Sequence, residues 1–283
     1  MEDYKDAEIV EFEEDQITEL KQREKRCRNH SADTYIQNLV LQEGNYSNKA
    51  EICAISTYLD LKPSDRILDV GCGSGRIVLH FAKQVKTIVG IDISPRSILN
   101  FNNNMKIRNL NCKGLVADIC EFRNDIGVFD KAYSCATIQH IPSFRERVKA
   151  LTNINRLLRQ NGRLVLTVHN WQADKRNLKY KEGYYGSGGP LDPWRAAFTE
   201  NDLRKLLEQT GFKVVHVGGI FNVPRKIRKR MPKFLYPLEF YVSNFRFSIK
   251  IGQYLIAKAI KTRELDPSGL RFVRSTAYSS ERA

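Results

Sequence analysis

Three carboxylates and three glycines, spaced at regular intervals through the first half of the sequence, hold the chemistry this chain can do. Asp69-Val-Gly-Cys-Gly-Ser-Gly75 follows the apolar Ile67 and Leu68, and its Gly71, Gly73 and Gly75 remove the Cβ atoms that would keep the backbone off a ligand. Asp92 closes the apolar run Thr87-Ile-Val-Gly-Ile91, with Ile93 just beyond, and Asp118 closes Lys113-Gly-Leu-Val-Ala117. An acid at the tip of a second strand accepts both hydroxyls of a ribose. One at the third takes an adenine amino group while Ile119 packs on the ring face. A dinucleotide site seats its pyrophosphate on G-x-G-x-x-G at a helix N-terminus. The spacing here is G-x-G-x-G, and Asp69 in front of it repels pyrophosphate but suits a cation, such as the amino group of a methionine moiety. Of the two adenosine ligands these acids would suit, a dinucleotide and S-adenosylmethionine, the spacing favours S-adenosylmethionine; a glycine-rich turn serves tight packing as well as ligands.

Methyl transfer from such a ligand asks mainly for positioning. Holding a nucleophile in line contributes on the order of 7 to 11 kcal/mol, against roughly 10²- to 10⁴-fold from a general base. Where a base is used, His140 is the first candidate, because it follows the fourth apolar run where an acceptor approaches and a neutral imidazole takes a proton near pH 7. His169, beside Asn170 and Trp171, is the second; His80 and His216 fall inside a helix and a strand and read as structural. Cys27, Cys53, Cys72, Cys112, Cys120 and Cys135 form no C-x-x-C pair and have no histidine at ligand spacing, so they read as reduced thiols and no metal is expected.

The elements that must position these residues alternate between strand and helix. Ile67, Leu68 and Val70 read as a strand buried on both faces, and Arg76-Ile-Val-Leu-His-Phe-Ala82 as a helix starting directly after the glycines. Ser94 caps a helix with Pro95 at its first position. Ser143 to Leu158 is apolar at helical spacing and ends at Asn161-Gly162. Thr199, with Asp202 three residues on, opens a helix through Leu207 before the strand Phe212 to Val217. The stretch from Trp171 to Arg195 is too long for a plain connection, and it reads as a substrate lid carrying Trp171, Tyr184, Tyr185 and Trp194. Ile17 to Arg28 reads as a charged helix behind an acidic tail, and residues 36–62 as helices capping the pocket, with Tyr35, Tyr46 and Tyr58 near its mouth.

In this order the motifs resemble the class I S-adenosylmethionine-dependent methyltransferases over residues 50–220. Asp69 to Gly75 looks like that family's first motif, Asp92 its ribose-binding acid, Val116-Ala-Asp-Ile119 its adenine segment, Phe129 to Ile141 its fourth strand, and Leu157 to Val168 the turn into its fifth. Asn161 stands where the family more often has proline or glycine. The resemblance implies an α/β fold: a doubly wound, seven-stranded, mostly parallel Rossmann-like sheet with N-terminal helices and a C-terminal insertion. The last strand, Gln253 to Lys258, would return antiparallel at the sheet edge. Asp69, Gly71, Gly73, Gly75, Asp92, Ile93, Asp118, Ile119 and Ala136 are implied as cofactor-binding. The domain plan is a tail and charged helix (1–35), a methyltransferase domain (36–263) and a mobile tail (264–283). Within the domain lie cap helices 36–62, a cofactor half 63–170, a lid 171–197 and an insertion 222–248. The segment from Ala136 to Leu151, with Val168-His-Asn-Trp171 and Pro193-Trp194, is also similar to methyltransferases that esterify the carboxymethyl group of wobble uridine in tRNA. The same pattern occurs among relatives that methylate small metabolites, sugars and lipid-linked precursors. A small biosynthetic acceptor with an oxygen or nitrogen nucleophile is the first expectation, tRNA the second, and a noncatalytic S-adenosylmethionine-binding partner the third.

With 283 residues, 42% of them hydrophobic, the chain can bury a sizeable core. Its acidic start, Met1 to Asp15, has neither a basic leader nor an apolar segment, and the longest apolar runs are of strand length, which reads as a soluble cytoplasmic protein. The net charge of +14 is unevenly placed: residues 161–283 hold 23 Lys and Arg against 10 Asp and Glu. Arg225-Lys-Ile-Arg-Lys-Arg-Met-Pro-Lys233 is the densest part, and Phe234-Leu-Tyr-Pro-Leu238 follows it. Such a run contacts tRNA phosphates or, weakly, an anionic membrane surface, or it is a solvated insertion with no partner.

Overall fold

In a computed structural model of the chain, described over residues 12–42, 45–174, 181–184, 189 and 191–264, strands and helices alternate as the sequence implies. The strands are β1 (Arg66–Val70), β2 (Thr87–Asp92), β3 (Cys112–Val116), β4 (Phe129–Cys135), β5 (Leu158–His169), β6 (Glu182–Tyr184), β7 (Trp194–Ala196), β8 (Phe212–Ile220) and β9 (Tyr254–Lys261). The helices are α1 (Glu14–Gln42), α2 (Tyr46–Leu59), α3 (Val78–Phe81), α4 (Pro95–Ile107), α5 (Phe144–Leu157), α6 (Trp171–Asp174), α7 (Glu200–Gln209), α8 (Arg225–Arg228), α9 (Tyr236–Ser243) and α10 (Ser248–Ile251). Seven strands form one sheet in the order β3-β2-β1-β4-β5-β9-β8, with β1 to β5 parallel and β9 antiparallel to both its neighbours. The fold class is therefore the mixed, mostly parallel one expected.

Alternation along each strand fills both faces. Leu68, Ala132, Leu164 and Leu255 pack with Leu151, Ile154 and Leu203 on one side. Their neighbours Ile67, Tyr133, Val165 and Ile256 pack with Leu59, Phe81 and Phe101 on the other. The helix starts are coded locally. The Ser94 hydroxyl accepts from the Ser97 N–H with Pro95 in the first turn, and Thr199 and Asp202 form a reciprocal capping box.

Several expectations change. The last strand, β9, is not at the edge but inserted between β5 and β8, which leaves β8 outermost. Its Leu255, Ile256, Ala257 and Ala259 are fully buried, as a doubly flanked strand requires. The helix α5 stops at Leu157, and Asn161 lies inside β5 with a left-handed φ of 62°, where the pairing with β4 slips between Phe129 and Lys131; the expected turn is a bulge. After the glycines only a four-residue helix forms. The helix α1 is continuous across the expected boundary at residue 35. Tyr46 and Tyr58 do not line a pocket mouth: both are buried against α9, donating to Glu239 at 3.1 Å and hydrogen-bonded to Ser243 at 3.2 Å. The side chain of Tyr35 and the tail 265–283 lie outside the described residues. Among the described residues no helix is long and apolar enough to cross a membrane.

The insertion is tied to the end of β5 by one side chain. Asn170, fully buried, donates from Nδ2 to the carbonyls of Ile249 and Gly252, each at 2.7 Å. Replacing it with alanine strands two buried carbonyls and is expected to cost about 3 kcal/mol. The exposed Asn201→Ala is expected to stay within about 0.5 kcal/mol. Thermal or denaturant unfolding of both variants checks this.

Candidate functional site

The carboxyl ends of β1 to β4 open on a cavity of about 460 Å³. Gly71 and Gly73, both at positive φ, form part of its floor. A Cβ at Gly71 would lie 2.0 Å from the Thr137 hydroxyl, whereas one at Gly73 would meet nothing within 4 Å. Gly71 is therefore required by its neighbour, and Gly73 faces open space. Gly75 is not a lining residue; it sits against Phe101 and Met105. Cys72 packs over Gly90 of β2.

Asp92 ties the loop to the next helix: its two oxygens accept the N–H groups of Gly73 and Ser94, each at 2.9 Å. Asp118 accepts from the Cys120 N–H at 2.9 Å, and its other oxygen lies 2.9 Å from the Lys21 ammonium. Ile93, Ile119 and Ala136 line the same cavity. Asp69 does not. It is buried one residue behind the loop and accepts from the Tyr133 hydroxyl at 2.7 Å. Burial pushes its carboxyl up to about 7.

His140 and His169 both line the other end of the cavity. His140 Nδ1 lies 2.7 Å from the Trp194 carbonyl, which can only accept, so the proton sits on Nδ1 and Nε2 carries the lone pair. Burial, then the Arg28 charge, hold this imidazole well below a histidine's ordinary 6.5, so it is neutral at pH 7. His169 Nε2 lies 3.2 Å from the Arg195 guanidinium and 3.0 Å from the Tyr254 hydroxyl, with its ring against that of Tyr254. The two histidines were legible in the sequence; Arg195 and Tyr254, brought in from β7 and β9, were not.

The lid residues divide. Trp194 lies in the small β6–β7 hairpin with its ring packed edge-on to Phe12 and Tyr184, so its backbone faces His140 while its indole does not line the cavity. Tyr184 is half exposed beneath the Arg23 guanidinium, 3.9 Å away. Trp171 opens α6 and is not a lining residue. Tyr185 lies outside the described residues.

The largest omission from the sequence reading is α1. Its Lys21, Glu24, Arg28, Ser31 and Ala32 line the cavity. Glu24 accepts from Arg28 at 2.6 Å and lies 3.9 Å from His140 Nδ1, while its second oxygen is buried with no partner among the described residues. The signal was the repeat of Leu20, Glu24, Arg28 and Ala32 at four-residue intervals, a stripe whose charges suggest solvent rather than a roof. Burial also raises the carboxyls of Asp92 and Glu24. Buried carboxylates that resist ionising, beside open space at Gly73, are what a cationic nucleoside would relieve and fill, so the residues fit S-adenosylmethionine.

A family model described as a methyltransferase domain matches residues 43–217. The chain is 32% identical over 170 residues to the O-methyltransferase rstn1 of Aspergillus nomiae, covering 55% of this chain and 67% of that one. It is 35% identical over 176 residues to a putative protein N5-glutamine methyltransferase of Methanocaldococcus jannaschii, covering 61% and 82%. For two further curated relatives the match spans only 34% and 55% of their length. Among solved structures, 1,6-didemethyltoxoflavin-N1-methyltransferase of Burkholderia thailandensis, with S-adenosylhomocysteine bound, shares the fold at a TM-score of 0.57 and 17% identity, covering 91% of this chain and 94% of that one.

The shifted Asp69 gives a prediction with a definite sign. The folded protein holds that proton up to about pH 7, whereas the unfolded chain releases it near 3.8, so stability falls as pH rises between those values. Asp69→Asn cannot ionise and keeps a partner for Tyr133. Its melting temperature is expected to exceed the wild type's at pH 8, with the gap closing toward pH 4; an equal gap at both ends would contradict the shift.

Proposed function

Because the chain belongs to the class I S-adenosylmethionine-dependent methyltransferases, through the methyltransferase-domain family matched over residues 43–217, we propose that its acceptor is a small molecule presenting an oxygen or nitrogen nucleophile, with His140 receiving the proton. When bound, S-adenosylmethionine supplies a methyl group on a positively charged sulfur, an activated leaving group. On this reading Asp92 would take the ribose hydroxyls and Asp118 the adenine amino group. Ile93 and Ile119 would pack on the base, and Gly71 and Gly73 would admit the backbone approach. Asp69 would act from behind the loop, through β1 and Tyr133.

The observation that carries the proposal is the neutral His140, its tautomer held by the Trp194 carbonyl. A neutral imidazole adds no positive charge beside the sulfonium before transfer, and its Nε2 lone pair, 3.3 Å from the Gln139 amide, would take the acceptor's proton as the sulfonium charge is lost. His169 is engaged by Arg195 and Tyr254, which suits a wall rather than a base. A cavity of about 460 Å³ under α1 is of the size that holds a cofactor with a small acceptor. The tRNA reading loses part of its footing, because Arg228 of the basic run is buried, bonded to the Val223 carbonyl and the Gln253 side chain, and stacked on Phe221.

His140→Gln is expected to lower kcat roughly 10²- to 10⁴-fold while calorimetric affinity for S-adenosylmethionine and S-adenosylhomocysteine stays nearly unchanged. Unchanged turnover would remove the base, and no binding of either compound by the wild type would remove the cofactor assignment. Since His140 stays neutral well below pH 6.5, the acid limb of the pH–rate profile is expected below that value. Trp194→Ala removes the indole that packs with Phe12 and Tyr184 and so loosens the carbonyl holding His140. Turnover is expected to fall with cofactor affinity spared; an equal loss of both would place the hairpin at the cofactor instead. Mass spectrometry of metabolites from cells with and without the gene would identify the acceptor, as a precursor that lacks one methyl group.

A further inference from the structure

Between β8 and β9 the chain turns an apolar stripe outward. Phe234, Leu238, Tyr241 and Phe245 recur at intervals of four, three and four residues, Leu238 and Tyr241 on α9, Phe234 in the turn before it and Phe245 just past its end, and all are exposed, Phe234 to 76% and Tyr241 to 69%. The opposite face of α9, Glu239 and Ser243, is the one buried against α2. Phe247 stacks on Phe245 with ring centres 5.9 Å apart, and Ile227 and Ile251 are likewise exposed. A monomer rarely leaves this much large apolar surface in one segment without a partner.

The charge around the stripe has one sign. Lys226, Lys229, Arg230, Arg246 and Lys250 are exposed, and Glu239 is the sole acid in residues 222–251. Glu239 is buried, with its oxygens occupied by Tyr46 and by the backbone and side-chain N–H groups of Asn222. The exposed surface of the insertion therefore offers apolar side chains and cations and no carboxylate.

We propose that this insertion docks the protein on an anionic lipid bilayer surface. Leu238, Ile227 and Ile251 enter the boundary between headgroups and acyl chains together with the aromatic rings, and the lysines and arginines meet the lipid phosphates. Charge complementarity selects this occupant over the others. A second copy would bring the same cations face to face. RNA would use the aromatic rings and the cations but has no use for exposed leucine and isoleucine, which cannot stack on bases as rings do. The surface lies on the acceptor side of the sheet, since Asn170, directly after His169, holds the carbonyls of Ile249 and Gly252. The proposal stands independently of the acceptor assigned above.

The test is flotation of the full-length protein with vesicles of phosphatidylcholine alone or of phosphatidylcholine mixed with phosphatidylserine. Binding is expected only to the mixed vesicles and is expected to weaken as salt is raised. Lys229→Gln with Arg230→Gln should lower partitioning about twenty-five-fold, at about fivefold per basic side chain. Phe234→Ser with Leu238→Ser should also abolish flotation, with melting temperature and S-adenosylmethionine affinity unchanged as the control for folding. Absence of the wild type from both vesicle fractions overturns the proposal, as does equal binding to neutral vesicles. Loss of tRNA retention in these variants without any vesicle binding would assign the surface to RNA, and conversion of a dimer to a monomer would assign it to a second copy; either overturns it.

Discussion

Several carboxylates buried around one cavity set the terms for the rest of this structure. Parallel strands all end at the same edge of a sheet, so a fold that places an acid at successive strand tips concentrates negative charge where little water reaches it. The chain answers with a partner for each. Two backbone N–H groups hold Asp92, Lys21 pairs with both Asp118 and Glu146, Arg28 holds Glu24, and Arg76 holds Glu51. Asp69, with a tyrosine hydroxyl and no cation in contact, keeps its proton to about pH 7 instead. The glycine loop, the start of α4 and the roof helix are thereby fastened to the same acids that would hold the cofactor.

The roof follows from this arrangement. Among the described side chains of α1 its contacts to the sheet side include Lys21 on Asp118, Asn29 on the Ser94 hydroxyl at 2.8 Å, and Asp33 paired with Arg96 in the open. Exposed pairs of this kind contribute little and are screened by salt. The helix covers the cavity, and Lys21 occupies an oxygen of Asp118 that an adenine amino group would share. Cover and ligand would therefore meet at one carboxylate.

What the sequence made legible was local. Ser94, Pro95, Thr199 and Asp202 specify helix starts within four residues, and the apolar runs ending in Asp92 and Asp118 specify strand tips, so these were readable without any tertiary knowledge. Nothing local distinguishes an edge strand from an inserted one, and β9 was misplaced although its Leu-Ile-Ala run carries the burial of a central strand. Asn161 was visible as a turn former, but only the register with β4 shows that the strand begins before it. The stripe on α1 shows no apolar majority, because its middle is the Glu24–Arg28 pair, and what it faces, His140 for Glu24 and Asp118 for the neighbouring Lys21, lies about 100 residues or more along the chain. Trp194 was identified by residue type for its ring, yet the atom that faces the site is its carbonyl oxygen, which every residue possesses.

That carbonyl also explains how the proposed base and the cofactor coexist. A carboxylate behind His140 would raise its proton affinity and favour an imidazolium, as carboxylate partners of histidines do. An imidazolium beside a sulfonium would set two positive charges against each other in a poorly hydrated cavity. A neutral carbonyl fixes the same tautomer without supplying negative charge; the Glu24 carboxyl, 3.9 Å from that nitrogen, is itself paired with Arg28, and Arg28 and Arg195 press the imidazole toward the neutral form. The cost is a weak base. Methyl transfer tolerates one, because the leaving group is already activated and most of the barrier is removed by alignment, so the site gives up proton affinity that it needs little in order to avoid a repulsion that would oppose binding.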